Sequence, residues 1–236
     1  MTLGEVHIAI LAGGLGTRLR GVLPDQPKVL APVHGKPFLE YLLNWLIHQG
    51  ARRVVLCLGY RADDVLAYLS SRSSAPLEIQ TVVEAEPLGT GGALANARAL
   101  LGTDPVLVIN GDTFLDADLN RFLAAHRASQ AEISILAVEV ENAGRFGRMI
   151  LDRNDRVVRF EEKSPEAKGK AWINGGVYLC SPAIIAQVAR LPKCSLERDV
   201  FVKLPPGTIH AWRAYGRFLD IGTPDTLSLA SEVLTA

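Results

Sequence analysis

Apolar and polar positions along this chain follow two alternating rhythms. Short apolar runs rich in β-branched residues are followed by stretches whose apolar side chains recur every three or four positions. Residues 6–11 read as a buried strand. Phe38, Leu39, Leu42, Leu43 and Leu46 keep the helical period, with Pro37 at the front and Gly50 just past the end. The pattern then predicts a strand at 53–58, a short helix at 62–69 and a partly alternating strand at 77–83. An alanine-rich helix at 92–101, a strand at 105–110 and a helix at 118–127 follow. Repeated β-then-α units of this length demand right-handed crossovers. They predict an α/β fold with a mostly parallel sheet covered by helices on both faces.

The second half changes character. Residues 131–140 form a long strand-like run, and 149–152, 156–161 and 172–180 are further strands, with Asn154-Asp155 as a turn between two of them. This predicts a mixed or antiparallel lobe joined to the parallel core. Residues 182–189 and 196–203 read as helices, and Pro205-Pro206-Gly207 as a turn. Strands at 208–212 and 217–221 precede a closing helix at 224–234, with Thr223 as N-cap and Pro224 at the first helical position. The expectation is one domain over residues 1–236. Roughly residues 1–130 would form the core, and the rest the lobe and a return to the core.

Composition narrows the function classes. With 236 residues, 48% of them hydrophobic and 21% charged, the chain is an ordinary globular one. Its formal net charge of zero gives no footprint for nucleic acid or for an anionic membrane surface. Cys57, Cys180 and Cys194 are odd in number, widely spaced and without a CxxC pair. That argues against a disulfide framework or a zinc site and for a reducing compartment. No signal peptide and no run of transmembrane length stand out, so the cytoplasm is the expected location. The histidines show no ligand spacing, and no GxSxG, HExxH or EF-hand pattern occurs.

The candidate chemistry starts at Leu11-Ala12-Gly13-Gly14-Leu15-Gly16-Thr17-Arg18-Leu19, with Pro27-Lys28 shortly after. A strand opening into a glycine-rich loop that carries cations can bring backbone N–H groups and positive charge to a polyphosphate. No Gly-Lys-Ser/Thr follows, so it is not a Walker A loop, and the third glycine of a dinucleotide fingerprint is missing. The rival reading is a plain β-turn-α linker. Lys28 lies in an otherwise apolar stretch, where it must find an anion or snorkel to water. Asn110-Gly111-Asp112 ends a strand, the position at which open α/β sheets bind ligands. Asp112 there can hold a metal ion or simply make a turn. Asp220 is a lone acid at another strand end, useful as a second metal ligand only if the fold brings it to Asp112. Glu162-Lys163 can serve a sugar phosphate or be an exposed charged strand end. The paired glycines of Asn174-Gly175-Gly176 within a strand pattern point to close approach of a ligand or to a β-bulge.

Taken together these segments resemble the sugar-1-phosphate nucleotidyltransferases. The likeness runs from the glycine loop to Phe218-Leu219-Asp220-Ile221-Gly222-Thr223-Pro224. It includes Pro27-Lys28, Gly35-Lys36-Pro37, Pro87-Leu88-Gly89-Thr90-Gly91-Gly92-Ala93, Asn110-Gly111-Asp112, Glu162-Lys163 and Asn174-Gly175-Gly176-Val177-Tyr178. The resemblance implies a Rossmann-like core with a sugar-binding lobe, and the conversion of a nucleoside triphosphate and a sugar 1-phosphate to NDP-sugar and pyrophosphate. It implies that Leu11, Ala12, Gly13, Gly14, Gly16, Thr17, Arg18 and Lys28 hold the nucleotide, with Leu88, Gly89, Thr90, Asn110 and Gly111. Asp112 and Asp220 would ligate Mg²⁺, and Lys163 would hold the sugar's phosphate. Glu162, Asn174 and Gly175 would lie on the sugar. Arg18, Lys28, Asp112, Lys163 and Asp220 form the implied catalytic set.

Within that family, Pro87-Leu88-Gly89-Thr90 resembles the guanylyltransferase version of the base-side segment. With Gly89-Thr90-Gly91-Gly92-Ala93 and Asn174-Gly175-Gly176-Val177-Tyr178, the chain is most similar to the D-glycero-α-D-manno-heptose 1-phosphate guanylyltransferases, which feed heptose into surface glycans such as lipopolysaccharide. GTP and that heptose 1-phosphate are therefore the expected substrates. Other pairings remain open: mannose 1-phosphate with GTP, or another sugar 1-phosphate with UTP or dTTP. A non-catalytic NDP-sugar-binding regulatory protein is the more distant alternative, and a nicotinamide-dependent oxidoreductase is disfavoured by the missing fingerprint.

Overall fold

The computed structural model describes residues 2–72, 76–102, 104–141, 143–161 and 169–234. The first half of the sheet is parallel. Strand β1 (Ile8–Ala12) lies between β4 (Arg53–Leu58) and β6 (Val106–Asn110), and β5 (Glu78–Val83) pairs with the outer side of β4. Helices α1 (Phe38–His48), α2 (Ala62–Ser71), α3 (Gly89–Ala97) and α4 (Leu119–Ser129) connect or follow these strands.

The strand residues show why both faces are covered. Ile8, Ile10, Val54, Leu56, Leu107 and Ile109 point into one buried cluster, shared with Leu39 and Leu42 of α1 and Phe122 of α4. Ala9, Val55, Cys57, Val106 and Val108 point into a second cluster, shared with Leu94 and Ala97 of α3. Alternate residues thus leave each strand on opposite sides, and both sides are apolar. Full burial of a leucine or isoleucine side chain stabilises by about 1.5–3 kcal/mol.

The second half enters the same sheet with reversed polarity. Strand β11 (Ala171–Cys180) runs antiparallel to β6, pairing Val177 with Ile109 and Cys180 with Val106. It also pairs antiparallel with β8 (Ile133–Val140) and β9 (Arg148–Leu151), and β10 (Val157–Glu161) lies outside β9. Strand β12 (Ile209–Ala214) runs parallel to β8. The expected α/β architecture, parallel core and mixed lobe are all present.

Differences from the sequence reading are local. Helix α3 begins at Gly89, three residues before the expected 92, because the N–H groups of Gly91 and Gly92 are satisfied by the carbonyl of Cys194. The stretch expected as a helix at 196–203 is a π-type turn, Leu196–Val200, followed by a 3₁₀ turn, Phe201–Lys203. Ser195 caps it through its Oγ, and Asp199 returns a carboxylate to the Ser195 N–H at 2.8 Å. The closing helix is two short pieces, α6 (Pro224–Ser228) and α7 (Ala230–Val233), behind α5 (Pro182–Val188), and the expected Thr223 cap is in place. Two small pairings were not predicted. They are the hairpin of β2 (Pro32–Val33) with β3 (Lys36–Pro37), and β7 (Thr113–Leu115) with β13 (Phe218–Asp220). Strands of two or three residues are too short to display a period.

The three cysteines are buried and unpaired. Burial pushes the Cys57 and Cys180 thiols up to about 12, so both stay protonated and inert at neutral pH. His126 is buried as well, its Nδ1 2.8 Å from the Ser134 hydroxyl. Burial first, then the Arg127 and His210 charges, lower its pKa from 6.5 to about 4. Its folded pKa lies below its unfolded one, so the unfolded chain takes up the proton first. Its contribution to stability is complete above about pH 6.5 and is lost progressively as pH falls towards 4. Denaturation midpoints between those pH values should fall less steeply in His126→Gln than in the wild type.

Candidate active site

Three loops meet at the carboxyl ends of the parallel strands. Leu11 is in register with Asn110 across β1 and β6, so the glycine loop after β1 and Asn110-Gly111-Asp112 after β6 leave the sheet side by side. The Gly111 N–H donates to the Leu11 carbonyl at 2.9 Å, which ties the loops together at their bases. The segment after β5 forms the third wall. Between them lies a cavity of about 350 Å³.

Leu11, Ala12, Gly13, Gly14, Gly16, Thr17 and Arg18 line it along one side. The loop then turns into a single 3₁₀ turn, Thr17–Leu19, and Gly16 makes that entry at φ +56°. Leu19 is buried and anchors the turn, while Arg18 is exposed at the cavity rim. The 3₁₀ turn Lys28–Leu30 is anchored the same way by Val29 and Leu30, which leaves Lys28 facing the cavity. Lys28 finds its anion in Asp112, with Nζ 2.5 Å from Oδ2. The Thr113 hydroxyl donates to the other Asp112 oxygen at 3.2 Å.

Asp220 comes to the same place by tertiary structure alone. The pairing of β13 with β7 sets it opposite Thr113, and the Ile221 N–H donates to the Asp112 carbonyl at 2.9 Å. Its Oδ1 accepts the Gly222 N–H at 2.6 Å. A Cβ on Gly222 would lie 2.4 Å from that oxygen and 3.4 Å from Lys28 Nζ, so a side chain there would displace the carboxylate. Burial and the Asp112 charge raise the Asp220 pKa, while Lys28, the Gly222 N–H and Arg18 pull it back. Two acids therefore converge with two cations.

The donor set fits a hard divalent cation. Asp220 is buried and carries the charge of Asp112 beside it, and a bound cation would stabilise both carboxylates. Among the described residues no group of three or more metal-ligating side chains gathers. A metal at the carboxylate pair would take its remaining ligands from phosphate oxygens and water.

On the wall after β5, Leu88, Gly89 and Thr90 make the turn into α3. Gly89 and Thr90 line the cavity, while Leu88 donates its N–H to Glu84 Oε2 at 3.2 Å. Gly89 has φ +78°, and a Cβ there would lie 2.5 Å from the Cys194 carbonyl oxygen. Gly89→Ala should therefore lower unfolding free energy by on the order of 2 kcal/mol in a urea titration.

The strand with the paired glycines reaches the site at the edge of β6. Gly176 has φ +72°, and the β11–β8 register shifts between Asn174 and Tyr178, a β-bulge. Asn174 donates to Tyr178 and accepts the Gly176 N–H. Gly175 is buried, and a Cβ there would lie 2.8 Å from the Leu136 carbonyl, so packing already requires a glycine. Neither residue lines the cavity around the glycine loop. Glu162 and Lys163 lie outside the described residues.

Sequence reasoning missed three polar residues of this region. Glu84 lines the cavity beside Gly13, and burial raises its pKa. The buried Tyr178 and the partly buried Glu197 form a pair, with the phenol donating to the carboxylate at 3.1 Å. Glu84 follows a strand of the parallel core, the one signal that marked it; nothing local marked Glu197.

An open sheet whose strand ends gather a glycine loop, cations and paired carboxylates is a site for enzymes that act on nucleotide phosphates. The profile of the nucleotidyl transferase family matches residues 8–235, and the chain belongs to that family. It is 35% identical over 226 residues to the D-glycero-alpha-D-manno-heptose 1-phosphate guanylyltransferase of Aneurinibacillus thermoaerophilus, covering 95% of this chain and 96% of that one. It is also 35% identical to the mannose-1-phosphate guanylyltransferase of Mycobacterium tuberculosis, over 95% of this chain and 63% of that longer one. The crystal structure of HddC from Yersinia pseudotuberculosis complexed with GMP-PN superposes with a TM-score of 0.86 at 35% identity, covering 97% of this chain and 99% of that one. This chain is accordingly a nucleotidyltransferase. No helix among the described residues is long and apolar enough to cross a membrane.

Proposed function

We propose that this enzyme transfers GMP from GTP to D-glycero-α-D-manno-heptose 1-phosphate, releasing pyrophosphate and forming GDP-heptose. The observation that carries the phosphoryl chemistry is the convergence of Lys28, Asp112 and Asp220 opposite the glycine loop. The guanine and heptose assignments rest on the named activity of the Aneurinibacillus relative and on the GMP-PN complex of HddC. Residues 1–236 act as one nucleotidyltransferase unit in this reading.

The sugar phosphate is already an anionic nucleophile and needs no general base. One of its oxygens attacks the α-phosphorus of GTP, the bond to the β-phosphate bridging oxygen breaks, and pyrophosphate leaves. The obstacle is charge repulsion and alignment, so catalysis is positioning and cationic stabilisation. Gly13, Gly14 and Gly16 cradle the triphosphate with backbone N–H groups, and Arg18 holds the β- and γ-phosphates that depart. Lys28 neutralises the phosphates as the nucleophile approaches. Gly89 and its neighbours lie against base and ribose. Lys163 holds the sugar's phosphate, with Glu162, Asn174 and Gly175 on the sugar. Asp112 and Asp220 hold Mg²⁺, which supplies Lewis-acid stabilisation of phosphate charge when bound.

Pyrophosphate release should be measured for four nucleoside triphosphates against a panel of sugar 1-phosphates. Turnover with GTP and the manno-heptose 1-phosphate is the expected result. Selective turnover of mannose 1-phosphate with GTP would reassign the sugar, activity with UTP alone would refute the guanylyl assignment, and silence on every pair would favour a regulatory NDP-sugar-binding protein.

A further inference from the structure

One carboxylate is linked to two residues that line the cavity, to Thr90 directly and to Asn110 through Tyr178. Glu197 sits on the π-type turn Leu196–Val200 and does not itself line the cavity. Its Oε2 accepts from the Thr90 hydroxyl and from the Ser195 hydroxyl, each at 2.8 Å, and its Oε1 accepts from the Tyr178 hydroxyl at 3.1 Å. Thr90 is held from a second direction, because its Oγ1 accepts the Leu196 N–H at 2.8 Å.

Tyr178 is fully buried and stands edge-on to Phe201, with ring centroids 5.1 Å apart. Burial, then the neighbouring Glu197 charge, raises its pKa well above the ordinary phenol range, so it keeps its proton. A carboxylate can only accept, so the single phenolic proton goes to Glu197. The phenolic oxygen is then left to accept. It does so from Asn174 Nδ2 at 3.0 Å and from Asn110 Nδ2 at 3.5 Å. That choice orients both amides. Asn174 turns its Oδ1 to the Gly176 N–H at 2.9 Å, and Asn110 turns its Oδ1 away from the phenol.

We propose that Glu197 is a positioning residue that ties the nucleotide-binding wall of the cavity to the sugar-binding strand β11, through Thr90 on one arm and through Tyr178 with Asn174 and Asn110 on the other. The inference rests on the nucleotidyltransferase reading of the cavity, since it assigns Thr90 and Asn110 to the nucleotide and Asn174 to the sugar. The carboxylate takes three donors and offers none, so the directions of all five side chains are coupled. A glutamine at 197 brings an NH₂ donor to one arm, and the hydroxyls or the amides on that arm must turn. Both substrates should feel a change at a residue that touches neither.

The test is direct titration, by calorimetry, of a non-hydrolysable GTP analogue and separately of the manno-heptose 1-phosphate, with wild type, Thr90→Val, Tyr178→Phe and Glu197→Gln. Misdirecting one hydrogen bond to a ligand predicts a rise in its Kd of about tenfold. Thr90→Val should show it for the nucleotide alone, Tyr178→Phe chiefly for the sugar phosphate with a smaller rise for the nucleotide through the longer Asn110 bond, and Glu197→Gln for both. A different dominant ligand in the first two variants is something a general loosening of the fold would not produce. Wild-type affinities for both ligands in Glu197→Gln would overturn the proposal, as would equal losses for both ligands in all three variants. Binding needs no turnover, so the two readings fail separately. A wild type that binds both ligands but releases no pyrophosphate sinks the catalytic function and leaves the tie standing. A wild type that binds neither overturns both.

Discussion

Lys28→Ala is expected to fold normally and to lose turnover by about 10²–10³-fold, by analogy with removal of one preorganised electrostatic donor. The ammonium lies 2.5 Å from Asp112, and its charge also acts on Asp220. In the resting protein it offsets part of the charge of two acids. During reaction the same cation would face the phosphates, where negative charge accumulates as the nucleophile approaches. Removal thus hurts twice: the carboxylates repel each other more, and the approaching anions meet less positive charge. The hydrophobic anchor of its turn, Val29 and Leu30, is untouched, so the fold should be kept, with some loss of thermal stability from the uncompensated carboxylates. Stopped assays of pyrophosphate release at saturating substrate check this, and near-normal turnover would remove Lys28 from the catalytic set.

Asp220→Asn should be comparably severe. Metal-borne stabilisation of transition-state charge is worth several kcal/mol, and losing one of two protein ligands should cost about 10³-fold in turnover at limiting metal. The two variants differ in how they respond to metal. Excess divalent cation should restore part of the Asp220→Asn activity, because the remaining ligand is intact. It should restore none of the loss in Lys28→Ala, whose defect is a missing fixed cation. A metal titration of both variants side by side reads this directly. Identical metal dependence of wild type and Asp220→Asn would mean that Asp220 is not a ligand.

How much of this was visible in the chain differs from residue to residue. The parallel core was legible because each strand is apolar on alternate sides, and each side has its own cluster: Ile8 and Ile10 in one, Ala9 in the other. The glycine loop was legible because Arg18 and Lys28 sit where a linker has no use for them. Asp112 was legible as a strand-end acid. The role open to Asp220 was not, because it depends on a three-residue strand that pairs across the molecule, and three residues carry no period. Gly89 was read as a base-side residue, yet its positive φ and its contact with the Cys194 carbonyl belong to tertiary packing. The stretch 196–203 has helical composition and was expected as a helix. It is instead wound into a π-type turn that aims Glu197 at Thr90 and Tyr178. No local pattern distinguishes a glutamate that closes such a network from one on a solvated helix face.

The central claim is that attack occurs at the α-phosphorus, with the loop gripping the part that leaves. The direct measurement is the fate of label from GTP carrying phosphorus-32 at the α or at the γ position, incubated with D-glycero-α-D-manno-heptose 1-phosphate. The account predicts α-label in the nucleotide sugar and γ-label in pyrophosphate, in equal amounts. Label from the γ position in the sugar, or in orthophosphate with the sugar unchanged, would contradict it.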